Sequence, residues 1–342
     1  MRILLIRTSA LGDVVHALPV LRALRRGLPR ARIAWVVEAA FSPLLDGHPD
    51  LDEALPVRRR EWRRRPLAAR REVAAFLRRL ADFSPDVVLD LMGNHKSGLI
   101  AALTLCDRRI GLARRFRREP SSAVWVSEGV EPRGEHVVDR QLALLEPLGL
   151  PAAPADFGGA HLLREAPEEA LQALAREPGR QLLVHPGAAW GNKRYPAASW
   201  GEVAARLHAA TGLGTWVAAG PGEEELAARV AAASAGAARA IAAPTLPFLA
   251  ALLRGVRLVV AGDTGPLHLA HALGTPVLCL MGPTDPARHG PYDQPQAALW
   301  KRLPCSFCQR RFDETKACLL EIPPRHVTER ALARLVSPQL EC

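Results

Sequence analysis

Short apolar runs recur along the 342-residue chain, each ended by a small-residue or glycine turn and followed by residues at helical spacing. Ile3 to Ile6 reads as a buried strand and Thr8 to Gly12 as a loop. Val14, Val15, Leu18, Leu21 and Leu24 then follow a helical period. The same grammar predicts a strand over 31–38, a helix near 41–46, a strand over 54–57 and one arginine-rich helix over about 62–81. A buried strand over 85–93, a helix over 97–105, a strand and loop over 111–116 and a helix over 136–148 complete the first half. Residues 151–169, rich in Pro, Ala and Gly, read as a linker. Strands then follow at 181–189 and 214–220, with helices at 197–210, 222–235 and 247–254 and a further strand at 256–261. Strand–helix alternation on both sides of a linker predicts an α/β protein of two Rossmann-like parallel-sheet domains facing a cleft. The expected boundaries are 1–155, 170–325 and a closing helix over 326–342.

Two of the turns carry candidate chemistry. In VVAGDTGPLHLAHALGTPVLCLMGPTDPARHGPY (259–292), an apolar strand stops at Gly262-Asp263-Thr264-Gly265 and Pro266 opens a helix. A helix N-terminus following glycines presents unpartnered N–H groups and a positive dipole end, which suits a phosphate. An ordinary βα turn has the same appearance when it stands alone. At the other end of the chain, Asp13 sits where the first helix begins. It reads either as a helix-capping carboxylate or as a carboxylate facing the crevice where open α/β sheets bind ligands.

Composition narrows the classes. Half the residues are hydrophobic, as in a globular chain, and no apolar run approaches the roughly 20 residues needed to span a bilayer. Four apolar residues before Arg7 are too few for a secretion signal, and six unevenly spaced cysteines do not form a disulfide framework, so a cytoplasmic location is expected. The net charge of +10 is lopsided: residues 1–150 hold 26 Lys and Arg against 18 Asp and Glu, the remainder 19 against 17. The excess lies in two clusters, Arg58, Arg59, Arg60, Arg63, Arg64, Arg65 and Arg108, Arg109, Arg114, Arg115, Arg117, Arg118. Such a field attracts phosphates, carboxylates or an anionic membrane surface, unless it is solvated compositional surface. A nucleic-acid-binding protein fits the charge but not the 5% aromatic content, because neither cluster is interleaved with stacking rings. A dehydrogenase is disfavoured: the first βα turn, RTSALGD, has no G-x-G-x-x-G, and Gly212-Leu213-Gly214 precedes a strand.

RTSALGDVVHALPVL (7–21), HPGAAWGNKRYP (185–196) and GDTGPLHLAHALGTPVLCLMGPTDP (262–286) together resemble the bacterial lipopolysaccharide heptosyltransferases of glycosyltransferase family 9. The resemblance runs over nearly the whole chain in order. WVVEAAF (35–41), LPVRRREWRR (55–64), GNHKSGLIA (93–101), RREP (117–120) and HVVDR (136–140) bring it closest to the heptosyltransferase I branch. It implies a GT-B architecture and inverting transfer of L-glycero-D-manno-heptose from ADP-heptose to the Kdo of lipid A inner core, at the cytoplasmic face of the inner membrane. Another family-9 donor or acceptor, such as that of heptosyltransferase II, is the alternative. By the same resemblance Asp13 is the base that takes the acceptor's hydroxyl proton. Lys193 meets the donor's phosphates, Gly262, Asp263, Thr264, Gly265 and His268 form the nucleotide-sugar loop, and Glu223 lies by the donor nucleoside. The anionic acceptor points to Arg60, Arg63, Arg64, Lys96 and Arg118 as its contacts. Ala188 and Ala189 stand where relatives often carry hydroxyl residues, which leaves backbone N–H groups for donor contacts there.

Because the loop, the helix N-terminus and Lys193 suffice to hold a leaving diphosphate, no divalent metal and no cofactor is expected. Cys305, Cys308 and Cys318 form a CxxC…C pattern, read as structural or oxidation-prone thiols. A zinc site would need a fourth ligand such as His326 or Cys342.

Overall fold

The computed structural model describes residues 1–151, 154–164 and 166–336. Contacts divide the chain into two units, Met1–His161 and Leu162–Cys342.

The first unit holds one parallel six-stranded sheet: β1 (Arg2–Ile6), β2 (Arg32–Glu38), β3 (Glu53–Val57), β4 (Val87–Asp90), β5 (Arg109–Leu112) and β6 (Glu128–Val130). Its order is β3-β2-β1-β4-β5-β6. Ile3 to Ile6 have no exposed surface, nor has Trp35 on β2, so a sheet covered on both faces accounts for the continuous apolar runs. The second unit repeats the plan with β7 (Arg180–His185), β8 (Gly214–Ala219), β9 (Ala238–Ala242), β10 (Leu258–Gly262), β11 (Val277–Met281) and β12 (Ala298–Trp300). The order is β12-β11-β10-β7-β8-β9. Each sheet starts centrally, builds outward to one edge, then crosses over and builds to the other. The strand order therefore reverses between β1 and β4 and between β7 and β10, and open sheets bind ligands beyond the carboxyl ends of the strands at such a reversal.

The alternation read from the sequence is present, with several differences. The single helix expected over 62–81 is two, Arg59–Arg64 and Arg70–Phe83. Pro66 lies between them and cannot supply the N–H that a continuous helix needs. The expected strand 111–116 ends at Leu112 and passes into a 3₁₀ turn, Arg114–Phe116. The helix over 136–148 is α-helical only from Val137 to Leu142, then 3₁₀ around Pro147. The helix near 41–46 is a 3₁₀ segment, Ala39–Leu44, with Pro43 inside. Three short strands, β6, β9 and β12, were too brief or too polar to stand out, and a helix, Glu168–Arg176, begins inside the expected linker. The last helix runs Pro324–Val336 and packs on Ala197–Thr211. The rest of the helix expected to 342, with Cys342, lies outside the described residues.

Among the described residues no helix is long and apolar enough to cross a membrane.

Candidate active site

In the second unit the loops leaving β7 and β10 come together. Gly262 is where they meet: a Cβ there would stand 2.8 Å from the Lys193 carbonyl oxygen, so any side chain would push the loops apart. Lys193 directs Nζ to Asp263 Oδ2 at 2.5 Å, and Thr284 donates its hydroxyl to the same oxygen at 2.6 Å. His268 Nε2 lies 3.0 Å from the other carboxylate oxygen. Asp263 is 8% exposed. Burial works against its charge, but the Lys193 ammonium and the His268 ring hold the carboxyl well below its usual range. A carboxylate tied on both oxygens cannot itself receive phosphates; it positions Lys193 and the loop.

The helix Gly265–Ala272 starts at this point. Thr264 is its N-cap residue, yet no side chain caps the first turn, because the Thr264 hydroxyl donates to the Gly262 carbonyl instead, at 3.2 Å. The orphan N–H groups and the dipole end thus stand by the loop that holds the Lys193 ammonium, an arrangement whose charge suits a phosphate group.

Glu223 closes a second corner. The Gly220 N–H donates to its Oε2 at 3.2 Å, and His185 Nε2 lies 3.6 Å from that oxygen. A Cβ on Gly187 would overlap the Glu223 carboxylate at 2.0 Å, so the HPG turn needs glycine for close approach. Burial pushes His185 below its ordinary pKa, with Glu223 opposing.

In the first unit, Asp13 lies in the short helix Leu11–Val15 that follows β1. One oxygen accepts the Ala10 N–H at 3.0 Å and the other pairs with Arg7. Arg7 is buried and donates Nη1 to the Leu91 carbonyl beyond β4, so it braces Asp13 from across the strand reversal. Asp13 is therefore a helix-start carboxylate and a carboxylate at the binding end of the sheet; the two readings are compatible. Its side chain keeps 30% exposure.

The arginine clusters sort themselves by partner. Arg117 belongs to neither solvent nor ligand: its guanidinium is buried, donates to Asp90 at 2.5 Å and to Ser122 at 2.8 Å, and fixes the turn after β4. Arg108 pairs with Glu128, Arg115 with Glu131, Arg59 with Glu38 and Arg58 with Glu61. The expectation of twelve field-making arginines is thus corrected, since neutralised guanidiniums make little field. Arg60, Arg63, Arg64, Lys96 and Arg118 are exposed, and among the described residues none of them has an ion pair. The helix Arg59–Arg64 presents the three arginines, the helix His95–Leu103 presents Lys96, and Arg118 follows the 3₁₀ turn after β5.

Sequence reasoning passed over Arg7, His185, Thr284, Trp190 and Arg311. The first four sit inside the motifs already quoted. Trp190 carries Lys193 Nζ 4.7 Å and the Arg311 guanidinium 4.6 Å from its ring centre, and no local signal links Arg311 to that loop. In the one Asp-x-Asp triplet of the sequence, Asp50-Leu51-Asp52, Arg22 and Arg25 engage the two carboxylates at 2.7 Å each. Among the described residues no three His, Cys, Asp or Glu side chains are grouped to hold a metal ion.

Two Rossmann-like sheets, with a phosphate-suited helix start in one and a braced carboxylate in the other, define a nucleotide-sugar glycosyltransferase of GT-B class. The chain matches the family model for glycosyltransferase family 9 (heptosyltransferase) over residues 73–318, and it belongs to that family. It is 33% identical to lipopolysaccharide heptosyltransferase 1 of Pseudomonas aeruginosa, over 99% of each chain. The Escherichia coli heptosyltransferase WaaC with ADP superposes with a TM-score of 0.80 at 27% identity, covering 98% of this chain and 100% of that one. The same enzyme with ADP-2-deoxy-2-fluoro heptose gives 0.75 at 28% identity, over 96% and 98%.

Proposed function

We propose that this chain transfers L-glycero-D-manno-heptose from ADP-heptose to Kdo of the lipopolysaccharide inner core, inverting the anomeric carbon. The observation that carries the reading is the uncapped start of helix Gly265–Ala272 beside Lys193, a site built for a diphosphate. The relatives just described, one of them solved with an ADP-heptose analogue, support the choice of sugar nucleotide.

In this mechanism the second unit, over about 170–325, holds the donor. Lys193 and the first-turn N–H groups of the helix stabilise the charge that develops on the departing ADP, where preorganised donors act most strongly. His268 and Asp263 keep Lys193 in place, and Glu223 meets the nucleoside. The first unit, over about 1–155, receives the acceptor. Asp13 takes the proton of the attacking Kdo hydroxyl as the new glycosidic bond forms. Arg60, Arg63, Arg64, Lys96 and Arg118 meet the carboxylate of Kdo and the phosphates of lipid A. Because that acceptor sits in an anionic leaflet, the enzyme works as a peripheral protein at the cytoplasmic face of the inner membrane.

The test is a transfer reaction with purified protein, ADP-heptose and Kdo-lipid A, read by mass spectrometry. The expected product is the acceptor plus one heptose. Transfer only to an acceptor that already carries heptose would move the assignment to the second heptosyltransferase activity. Transfer only from another sugar nucleotide would overturn the donor.

A further inference from the structure

Between β12 and the last two helices, residues 301–316 form an irregular segment that lies against the Lys193 loop. Three hydrogen bonds join it to Asn192. The Asn192 N–H donates to the Phe312 carbonyl at 3.1 Å, the Asn192 amide donates to the Arg310 carbonyl at 2.8 Å, and the Phe312 N–H donates back to Asn192 Oδ1 at 3.4 Å. The Thr315 hydroxyl donates to the Arg194 carbonyl at 2.7 Å. Lys193 is thus flanked on both sides by residues that this segment holds. With almost no regular structure of its own, the segment depends on its anchors.

One anchor carries thiols. Cys305 and Cys308 are exposed in a tight turn whose residues Phe307 and Gln309 have left-handed φ angles of 62° and 52°. The turn is pinned by the Phe307 ring on Trp300, 5.2 Å between centres, and by the Gln309 N–H on the Pro283 carbonyl at 3.0 Å. Cys318, half-buried in the helix Ala317–Leu320, packs on the neighbouring residue: its Sγ would lie 3.6 Å from a Cβ on Gly282. The Gly282-Pro283 corner therefore gathers the CxxC turn and Cys318.

We propose that Cys308 and Cys318 form a thiol–disulfide modification site that braces the strap over the Lys193 loop and so sets donor affinity. The oxidant is a low-molecular-weight disulfide of the glutathione class. The exposed Cys308 thiolate attacks one sulfur of glutathione disulfide, whose S–S bond breaks and releases one glutathione thiolate. The Cys318 thiolate then attacks the Cys308 sulfur of the mixed disulfide and releases the second. Two protein thiols lose two electrons and two protons, and one glutathione disulfide becomes two glutathiones. Burial raises the Cys318 thiol above its ordinary value, so the second step quickens as pH rises. Bond formation closes a short loop around residues 309–317 and removes freedom from the strap before donor arrives.

The donor readout rests on the proposed function, but the chemistry of the thiols does not. The experiment uses the full chain with Cys342→Ser, treated with glutathione disulfide and compared with dithiothreitol-reduced protein. Peptide mapping is expected to find Cys308 linked to Cys318. The link should persist in Cys305→Ser and be absent in Cys308→Ser, while Cys318→Ser stops at a glutathione adduct on Cys308. Hydrogen exchange should slow at the Asn192 and Phe312 amides, and ADP should bind about threefold tighter, with dithiothreitol reversing both. Glutathione adducts on Cys305 and Cys308 with no link to Cys318 would overturn the site, as would unaltered exchange at those two amides in the linked protein. Tight zinc uptake by the reduced chain that blocks the linkage would replace it with a metal site. A chain that forms the bond but binds no ADP keeps the thiol site and removes the donor reading.

Discussion

Asp13 and Asp263 each stand in the loop and helix start that follow a central strand beside a reversal of strand order, but on opposite sides of it: Asp13 follows β1, the first strand of its sheet, and Asp263 follows β10, the counterpart of β4. Their surroundings differ in kind. Asp263 is 8% exposed, and Lys193, Thr284 and His268 engage both its oxygens. Asp13 pairs with the Arg7 guanidinium, accepts the Ala10 N–H and keeps 30% of its side chain exposed. A carboxylate saturated by donors is a structural anion whose work is to hold a cation. One with open surface can still meet a hydroxyl. The two strands that flank a reversal thus each offer a place for a carboxylate, and the partners decide how much of it stays open.

Removing Asp13 breaks the comparison most severely. Asp13→Ala is expected to lower kcat by about 100- to 10,000-fold, the usual cost of losing a general base, while ADP binding measured by calorimetry stays near that of the parent. Turnover within a few-fold of the parent would reduce Asp13 to a helix-start residue. Asp263→Asn is the counterpart. It leaves Lys193 facing a neutral group in a buried setting, and about 2 kcal/mol of lost positioning corresponds to roughly 30-fold weaker ADP binding. Acceptor KM should be little affected; an acceptor effect without a donor effect would contradict the division of labour.

Acidification sharpens the contrast between a buried histidine of the first unit and the buried carboxylate of the second. His48 in the first unit is pushed down to about 4 by burial, with the His161 ring, 4.4 Å away, adding to the shift. An unfolded chain takes up this proton below about 6.5 and the folded one does not, so stability falls as pH drops from about 6.5 toward 4. Between pH 7 and pH 5 the loss is about 2 kcal/mol from this group. His48→Gln should flatten the dependence of the urea midpoint on pH over that interval. Asp263 is lowered too, but because Lys193 and His268 favour its charge against burial: its contribution is present above the ordinary carboxyl range and is lost as pH falls below it.

The smallest expected effect concerns the exposed arginines. Converting Arg60, Arg63 and Arg64 to Gln should raise acceptor KM several-fold, leave donor KM unaltered and flatten the salt dependence of acceptor binding, because exposed charges are screened over about 10 Å at 0.1 M ionic strength. Unaltered acceptor kinetics would make these side chains ordinary surface.

Much of the architecture was legible because its signals are local. Apolar runs ended by small-residue or glycine turns marked β1, β4 and β10, and Pro266 marked the helix Gly265–Ala272. Pro66 was equally visible, yet the arginine-rich segment was read through it as one helix. The short strands β6, β9 and β12 carry too few residues for a period to register, and they exist because a neighbour offers them a hydrogen-bonding edge. Site legibility followed the same rule. Gly262, Asp263, Thr264 and Lys193 stood in recognisable motifs, whereas Arg311 and the bracing role of Arg7 did not.

By itself the sequence determined where strands and helices alternate, where the chain turns, how charge is distributed between its halves and which family motifs it holds. Periodicity and Gly/Pro punctuation act within a few residues and need no partner. The tertiary structure alone decided how each charge is spent. Lys193 meets Asp263 across 70 residues, Arg7 reaches the Leu91 carbonyl across 84, and Arg117 disappears onto Asp90 while Arg60 stays in water. Such pairings follow from the order in which parallel strands assemble. Two residues become neighbours through a crossover connection, and nothing in the local sequence of either records the other.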